Sequence, residues 1–350
     1  MKRSMQGRFN FNGWILPAVR YREWRINRSW YILAAAMLVA PWFVQLYNDF
    51  KVGPAHILII QLMGGYGNTT IAASTVIAGG LGLVVFWYDF SQGRLAYVLE
   101  GAVERRHVWW TKAFYVSATI IGAYLLTGIA MEGAWLAVGQ SGVSITIVDA
   151  MAYLILVHLV IAATAMMVGS AIGNVIYAAI GVVVMVAWPT LLQSVIEMVI
   201  GGSAYRLEVG VQNLMAALSP ASVISNHLHL YVQSTPKVVA FSRFDQWLIV
   251  LWFGVWLGAM GWLGQRLFQK ILWERFFDAF YFPVLWNGVY AGLALVTAWV
   301  YEAVNGSNLV GVNRLLLLLG IAAPMFFVWR WIVRQIGRRA LWKMRSGVRS

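Results

Sequence analysis

The chain has 350 residues, of which 61% are hydrophobic and only 11% charged, a balance that excludes an ordinary water-soluble domain because large apolar surfaces would stay exposed. The net charge of +13 would suit a nucleic-acid-binding protein, so the distribution of the charges has to decide. The absence of cysteine excludes a disulfide framework, a thiolate nucleophile and a cysteine-ligated metal.

Eight apolar stretches are long enough, or nearly so, for the roughly 20 residues that a helix needs to cross a bilayer. They lie at about residues 29–47, 69–90, 110–131, 148–171, 175–200, 247–267, 284–303 and 315–333. The residues before Ser29 lack the short apolar core of a cleavable signal, so the first span is predicted to be an uncleaved anchor. We therefore predict an all-α, polytopic bundle of about eight transmembrane helices.

The cationic residues are concentrated in alternate segments between these spans. Lysine and arginine number seven in residues 1–28, four in 88–112, three in 265–280 and seven in 330–350, which leaves five for all the other segments. Cationic loops favour the cytoplasmic side, and eight crossings put all four rich segments there. We expect cytoplasmic N and C termini, a multi-pass protein of the cytoplasmic (plasma) membrane, and no role in binding nucleic acid.

In chain order, residues 1–28 form a cytoplasmic segment whose part from Tyr21 to Arg28 is predicted to be an interfacial helix. Residues 29–267 form a six-span core, with an external segment at about 201–246. Residues 268–350 add two spans and a basic cytoplasmic tail that attracts anionic lipid. The glycine pairs Gly169 with Gly173, Gly254 with Gly258 and Gly288 with Gly292 allow close helix packing, which we expect within the chain.

The segment after the second span, about residues 93–106, has helical periodicity. One side carries Leu95, Val98, Leu99, Ala102 and Val103, and the other carries Arg94, Tyr97, Glu100, Glu104 and Arg105. At about 14 residues with five charges it is too short and too polar to cross the membrane. We predict an amphipathic helix that lies on the cytoplasmic surface.

This region resembles the signature that follows the second span in ABC-2 type ABC-transporter permeases. The matching positions are Gly93, Leu95, Leu99, Arg105 and Lys112. The approach to span 1 with Glu23 and the element Leu218-Ser219-Pro220 before span 6 are also similar to that family. Arg94, Ala96 and Ala102 stand where the family usually has threonine, glutamate and proline, and the last two spans lie outside the six-span resemblance.

The resemblance implies a permease subunit of an ABC exporter or related transporter, which pairs with an identical or different permease chain and two ATPase subunits. It implies no catalytic residue, cofactor or metal in this chain, since ATP and Mg would be bound by the ATPase. The ATPase-coupling residues would be Gly93, Leu95, Leu99, Glu100, Glu104, Arg105 and Lys112. Independently, the sequence has no phosphate-binding loop ending in Gly-Lys-Ser/Thr, so the energy for transport would come from a partner.

Other interpretations stay open at this point. The helix at 93–106 could simply rest on lipid headgroups, although Glu100 and Glu104 are poorly suited to an anionic surface. His158, in the middle of span 4, is either a functional group or a neutral imidazole bonded to a neighbouring helix, and we favour the second. The whole chain could instead be a membrane enzyme acting on a lipid-linked substrate, a non-catalytic assembly or sensory subunit, or a secondary transporter.

Overall fold

The computed structural model describes residues 16–52, 67–91, 104–137, 145–186 and 243–271, and parts of 287–301 and 316–332. All the regular structure in these residues is helical, which confirms the all-α prediction for them. The helices are α1 (Pro17–Val52), α2 (Gly67–Ser91), α3 (Arg105–Ala137), α4 (Ile145–Gly169), α5 (Val175–Val186), α6 (Arg243–Gln269) and α7 (Leu319–Ile332).

Four stretches within these helices are long and apolar enough to cross a membrane: Thr70–Asp89, Arg105–Ala134, Met151–Gly169 and Trp247–Gln269. Large apolar side chains on their surfaces are exposed, including Val76 at 74%, Ile129 at 70% and Leu251 at 66%. Such surfaces are unfavourable in water and are suited to lipid. The structure thus supports a membrane protein, with spans 2, 3, 4 and 6 placed close to the predicted positions.

Helix α1 is a single helix of 36 residues, about 54 Å long at 1.5 Å per residue. Pro17 is its first residue, a position where the missing N–H has no helical partner in any case. The predicted interfacial helix and the first span are therefore consecutive parts of one element, and the helix continues through Pro41.

The chain divides into two compact units. The first comprises Met1–Ala187 and Ala216–Tyr281, and the second comprises Trp188–Met215 and Phe282–Ser350. In the second unit, Ala294, Ala298 and Ala322 form a small apolar core, and Trp329 donates a hydrogen bond to Thr297 at 3.0 Å. These contacts join residues from the predicted seventh and eighth spans.

Close packing in the first unit depends on glycines that the sequence did not single out. A Cβ atom on Gly82 of α2 would lie 2.5 Å from the Ala162 carbonyl oxygen of α4, and one on Gly264 of α6 would lie 2.7 Å from the Trp109 ring. By contrast, Cβ atoms on Gly254 and Gly258 would have no described neighbour within 4 Å, and the same holds for Gly288 and Gly292. No described residue packs closely against these two pairs, whereas a Cβ atom on Gly169 would lie 3.5 Å from the Leu83 side chain of α2, an ordinary packing contact.

Five helix ends of the first unit meet at one end of the bundle, which we call the Lys112 end. Lys112 near the start of α3 contacts Glu23 near the start of α1 and Asp89 near the end of α2. Arg105 reaches the end of α6, and Ser170, just after α4, is hydrogen-bonded to the α6 residue Gly264. Helices α1 to α4 therefore alternate in direction.

A tight turn at the same end joins α4 to α5. The Asn174 side chain caps α5 by accepting hydrogen bonds from the backbone N–H groups of Ile176 at 3.0 Å and Tyr177 at 3.3 Å. Ser170 closes α4 by donating to the Met167 carbonyl at 2.7 Å. This turn agrees with the predicted break between spans 4 and 5.

Candidate functional site

Three charged side chains from three helices form a buried ion cluster at the Lys112 end. The Lys112 ammonium lies 3.0 Å from each Glu23 carboxylate oxygen and 2.7 Å from Asp89 Oδ2, and it donates to the Val85 carbonyl at 2.8 Å. Lys112 and Asp89 are 0% exposed and Glu23 is 1% exposed. We call Glu23, Asp89 and Lys112 the Lys112 cluster.

The two carboxylates of the cluster have different surroundings. Glu23 Oε1 also accepts hydrogen bonds from Asn27 Nδ2 and Tyr31 OH, both at 2.7 Å. These partners lie four and eight residues further along α1, so that one polar stripe of the helix faces the cluster. Asp89 Oδ1, in contrast, has no hydrogen-bond partner within the described part of the chain.

The cluster contains one positive and two negative side chains. Unpaired charges are very costly to bury, and buried ion pairs are tolerated when the geometry is good and hydrogen bonds satisfy the remaining atoms. Here four acceptors surround a single ammonium, so the cluster connects α1, α2 and α3. Chemically it can hold helices together, but it presents no exposed nucleophile or acid to a substrate.

Aromatic rings border the cluster on the α1–α3 side. Tyr115 of α3 stacks on Trp24 with ring centroids 5.7 Å apart and on Tyr31 at 5.3 Å, and its hydroxyl donates to the Arg20 carbonyl at 3.2 Å. On the other side, the Lys112 ammonium lies 5.6 Å from the centre of the Phe86 ring, a cation–π contact.

Arg105, the first residue of α3, bonds to the end of α6. Its guanidinium donates to the carbonyl oxygens of Gln269 at 3.0 Å and Ile271 at 2.5 Å. The last carbonyls of a helix lack partners within it and carry partial negative charge, so a cation stabilises this end. Trp110, in the second turn of α3, adds a hydrogen bond to Gln265 of α6 at 2.9 Å.

Glu104 precedes α3 and is exposed. Its carboxylate lies 2.5 Å from Arg106 Nε and 3.5 Å from His107 Nε2, while its carbonyl accepts the His107 backbone N–H at 3.0 Å. Among the predicted coupling residues that the structure describes, Glu104 is exposed, Arg105 is partly exposed and Lys112 is buried. Arg105 and Arg106 belong to α3, so they do not extend the predicted surface helix.

The remaining predicted coupling residues, Gly93, Leu95, Leu99 and Glu100, lie outside the described residues. The sequence singles out Lys112 and Glu23 separately, and Asp89 falls at the end of the predicted span 69–90, but no sequence pattern brings the three together. The available signal was the polar series Glu23, Asn27 and Tyr31, whose spacing of four residues puts all three on one face of α1.

His158 lies in the interior of the first unit with no exposure. Its Nδ1 lies 2.7 Å from the Leu154 carbonyl and therefore carries a proton, while Nε2 lies 3.3 Å from the Tyr124 hydroxyl and 3.4 Å from that of Thr75. These contacts involve α2, α3 and α4 and satisfy both ring nitrogens. The geometry agrees with the interpretation of a histidine bonded to neighbouring helices.

No group of three or more histidine or acidic side chains that could hold a metal ion occurs in the described ranges. The pair His227 and His229 lies outside them. A comparison of the sequence with models of protein families finds no match, and a search among curated proteins finds no relative.

Proposed function

We propose that this chain is the transmembrane permease subunit of an ABC transporter of the ABC-2 type. It moves a substrate across the cytoplasmic membrane, working with a second permease chain and with two ATPase subunits that bind ATP and Mg. The substrate passes between the two permease chains. The chain itself is not an enzyme.

The observation that carries this proposal is the position of the segment between α2 and α3. Asp89, near the end of α2, and Lys112, near the start of α3, are bonded to each other at the Lys112 end. The intervening residues therefore begin and end at one end of the bundle, which is the arrangement that a surface-exposed coupling helix needs. The family-like residues Gly93, Leu95 and Leu99 fall in this segment.

The distribution of charge supports a cytoplasmic location for this end. The Lys112 end receives residues from three of the four cation-rich segments, namely 1–28, 88–112 and 265–280. A cytoplasmic location would give an ATPase direct access to Glu104, which is exposed. Because the sequence lacks a phosphate-binding loop, ATP hydrolysis is assigned to the partner.

The first test is isolation of the affinity-tagged chain from native membranes, followed by identification of co-purifying ATPases. Glu100→Lys together with Glu104→Lys should abolish most of the co-purification and of the stimulated ATP hydrolysis, because both acidic groups lie on the predicted coupling segment. Arg105 is left unchanged, since it bonds to the end of α6 and its loss would disturb the bundle.

A matched control reverses one charge at the opposite end of α1. Asp49→Lys lies 26 residues, about 39 Å of helix, from Glu23 and should leave co-purification intact. If no ATPase accompanies the unaltered chain, or if the double charge reversal leaves a bound and stimulated ATPase, the proposed function is wrong. An associated lipid-modifying activity instead would favour a membrane enzyme.

A further inference from the structure

The Lys112 cluster joins α1 to both helices that flank the coupling segment. α2 ends at Ser91, two residues after Asp89, and α3 begins at Arg105, two helical turns before Lys112. One ammonium bonds to Asp89 on one side of the segment and to Glu23 of α1. A displacement of the segment between α2 and α3 would therefore reach α1 directly through the Lys112 ammonium.

We infer that Lys112 is a positioning residue, and that its cluster makes α1 move as one body with the end of α2 and the start of α3. This inference rests on the proposed function, because the displacement would come from the partner ATPase. It adds the route by which that displacement enters the membrane. α1 would carry it across the bilayer, since the helix runs without interruption for 29 residues, or about 44 Å, beyond Glu23.

Besides the Lys112 cluster and the hydrogen bond from Tyr115 to the Arg20 carbonyl at 3.2 Å, which is exposed and involves no ion, the contacts of α1 described above are aromatic. The stacking of Tyr115 on Trp24 and Tyr31 and the edge contact of Trp30 with Tyr88 are broad apolar contacts. Apolar burial is non-directional, so rings can slide over one another with little change in contact area. An ammonium bonded at 2.7 to 3.0 Å to acceptors on two neighbouring helices has no equivalent alternative position.

Burial makes this connection firm. All three ionic groups are excluded from solvent, so that water cannot replace a broken contact as it does at the protein surface. Separation of α1 from α2 and α3 would expose unpaired charges to an apolar environment. Buried ionic groups that set the register between helices are known in other proteins, where they add specificity more than stability.

The test must separate positioning from a role in folding alone. A triple variant with Glu23→Gln, Asp89→Asn and Lys112→Met replaces every ion by a neutral side chain of similar size. Neutral replacement of a whole buried ionic group is commonly tolerated, whereas removal of one partner is not. The triple variant is therefore expected to fold while lacking the ionic connection, and a thermal midpoint close to that of the unaltered chain would verify this.

The readout is the distance from α1 to α2, measured by pulsed electron paramagnetic resonance between spin labels. Because the chain has no cysteine, Tyr21→Cys and Trp87→Cys introduce the only two labelling sites, both at exposed positions. Phe114→Cys with Trp262→Cys, also exposed, gives a control distance from α3 to α6 that does not involve α1. The full-length chain is measured in nanodiscs of phosphatidylethanolamine and phosphatidylglycerol.

The expected result is one narrow α1–α2 distance distribution in the unaltered cluster, and a broad or divided distribution in the folded triple variant with an unchanged α3–α6 distance. Lys112→Arg in the chain with Glu23 and Asp89 unaltered keeps the positive charge, and it should keep a single narrow α1–α2 distribution. A folded triple variant that keeps the narrow α1–α2 distribution would overturn the inference. If the triple variant does not fold, Glu23→Gln alone is measured in the same way, with the same two outcomes, because it keeps the Lys112–Asp89 pair and removes only the ionic contact to α1.

This measurement needs no ATPase, so it separates the two proposals. If the chain recruits no ATPase but the triple variant broadens the α1–α2 distance distribution, the proposed function is wrong and the positioning role of Lys112 stands. A bound and stimulated ATPase on a chain whose folded triple variant shows no loosening would refute the positioning role alone.

Discussion

Removal of the Lys112 ammonium should destabilise the chain far more than removal of an exposed cation on the same helix. Lys112→Met would leave the carboxylates of Glu23 and Asp89 buried together without a counter-charge, and Asp89 would lose the hydrogen bond that Lys112 donates to it. Arg106→Met is the matched control, because Arg106 lies on the same helix but its side chain is 54% exposed and pairs with an exposed Glu104.

The magnitude follows from the opposing electrostatic contributions. At an effective dielectric constant of about 20, two unit charges about 3 Å apart attract by roughly 5 to 6 kcal/mol. The ammonium makes two such pairs, and the desolvation of each ion, several kcal/mol, offsets much of that attraction. Deletion of one partner removes the attraction and keeps the desolvation of the others, so the expected loss is about 3–5 kcal/mol. Arg106→Met should cost less than about 1 kcal/mol.

The assay is reversible unfolding in mixed micelles of a mild detergent and dodecyl sulfate, followed by tryptophan fluorescence, for which the chain provides 19 indoles. Lys112→Met and Arg106→Met are compared under identical conditions, so that the detergent contribution cancels. Equal stabilities for the two variants would refute the reasoning, because they would mean that the two carboxylates obtain full compensation without Lys112.

Gly82→Ala should destabilise the chain by about 1–3 kcal/mol, because the added Cβ would overlap the α4 backbone, whereas Gly80→Ala, with no neighbour within 4 Å, should change the stability by less than about 1 kcal/mol or increase it. Thermal unfolding compares the two variants, and equal effects would contradict the close α2–α4 packing. His158→Phe should lower the free energy of unfolding by about 1–3 kcal/mol, because the hydroxyl groups of Tyr124 and Thr75 lose a hydrogen-bond partner, and it should leave ATPase stimulation intact. Lost stimulation at unchanged stability would show that the histidine is functional. Arg105→Gln should accelerate amide hydrogen exchange in the last turn of α6, before Gln269, because the carbonyls there lose a cationic donor. Unchanged exchange would show that this contact does not stabilise the end of the helix.

Apolar length located the membrane-spanning helices well and their ends poorly. The predicted span 69–90 corresponds to α2 (Gly67–Ser91), and 247–267 corresponds to α6 (Arg243–Gln269). α3, however, begins at Arg105, five residues before the predicted start at residue 110. Hydropathy reports only the part of a helix that lies in lipid, and a helix continues into the polar region as long as its backbone and side chains find partners.

The ion cluster could be anticipated only in its local part. The spacing of Glu23, Asn27 and Tyr31 marks a polar face on α1, and such a face beside a membrane span requires a partner. The partner Lys112 is 89 residues away in the chain, and no local pattern pairs it with Glu23. Asp89 falls at the end of the predicted span 69–90, a position where a carboxylate is ordinarily solvated. Only the folded arrangement shows that all three are buried together.

The basic residues of the family-like motif are internal contacts in this structure. Arg105, which is partly exposed, bonds to the end of α6, and Lys112, which is buried, bonds to α1 and α2. A partner that docks on the segment between α2 and α3 would therefore recognise other groups, of which Glu104 is described and exposed. The two cations have a different effect on the same segment, because they hold its flanks to three neighbouring helices. A segment with firmly held flanks transmits an applied displacement, whereas loose flanks would absorb it, and for this reason internal contacts at the basic positions suit a coupling element better than exposed ones would.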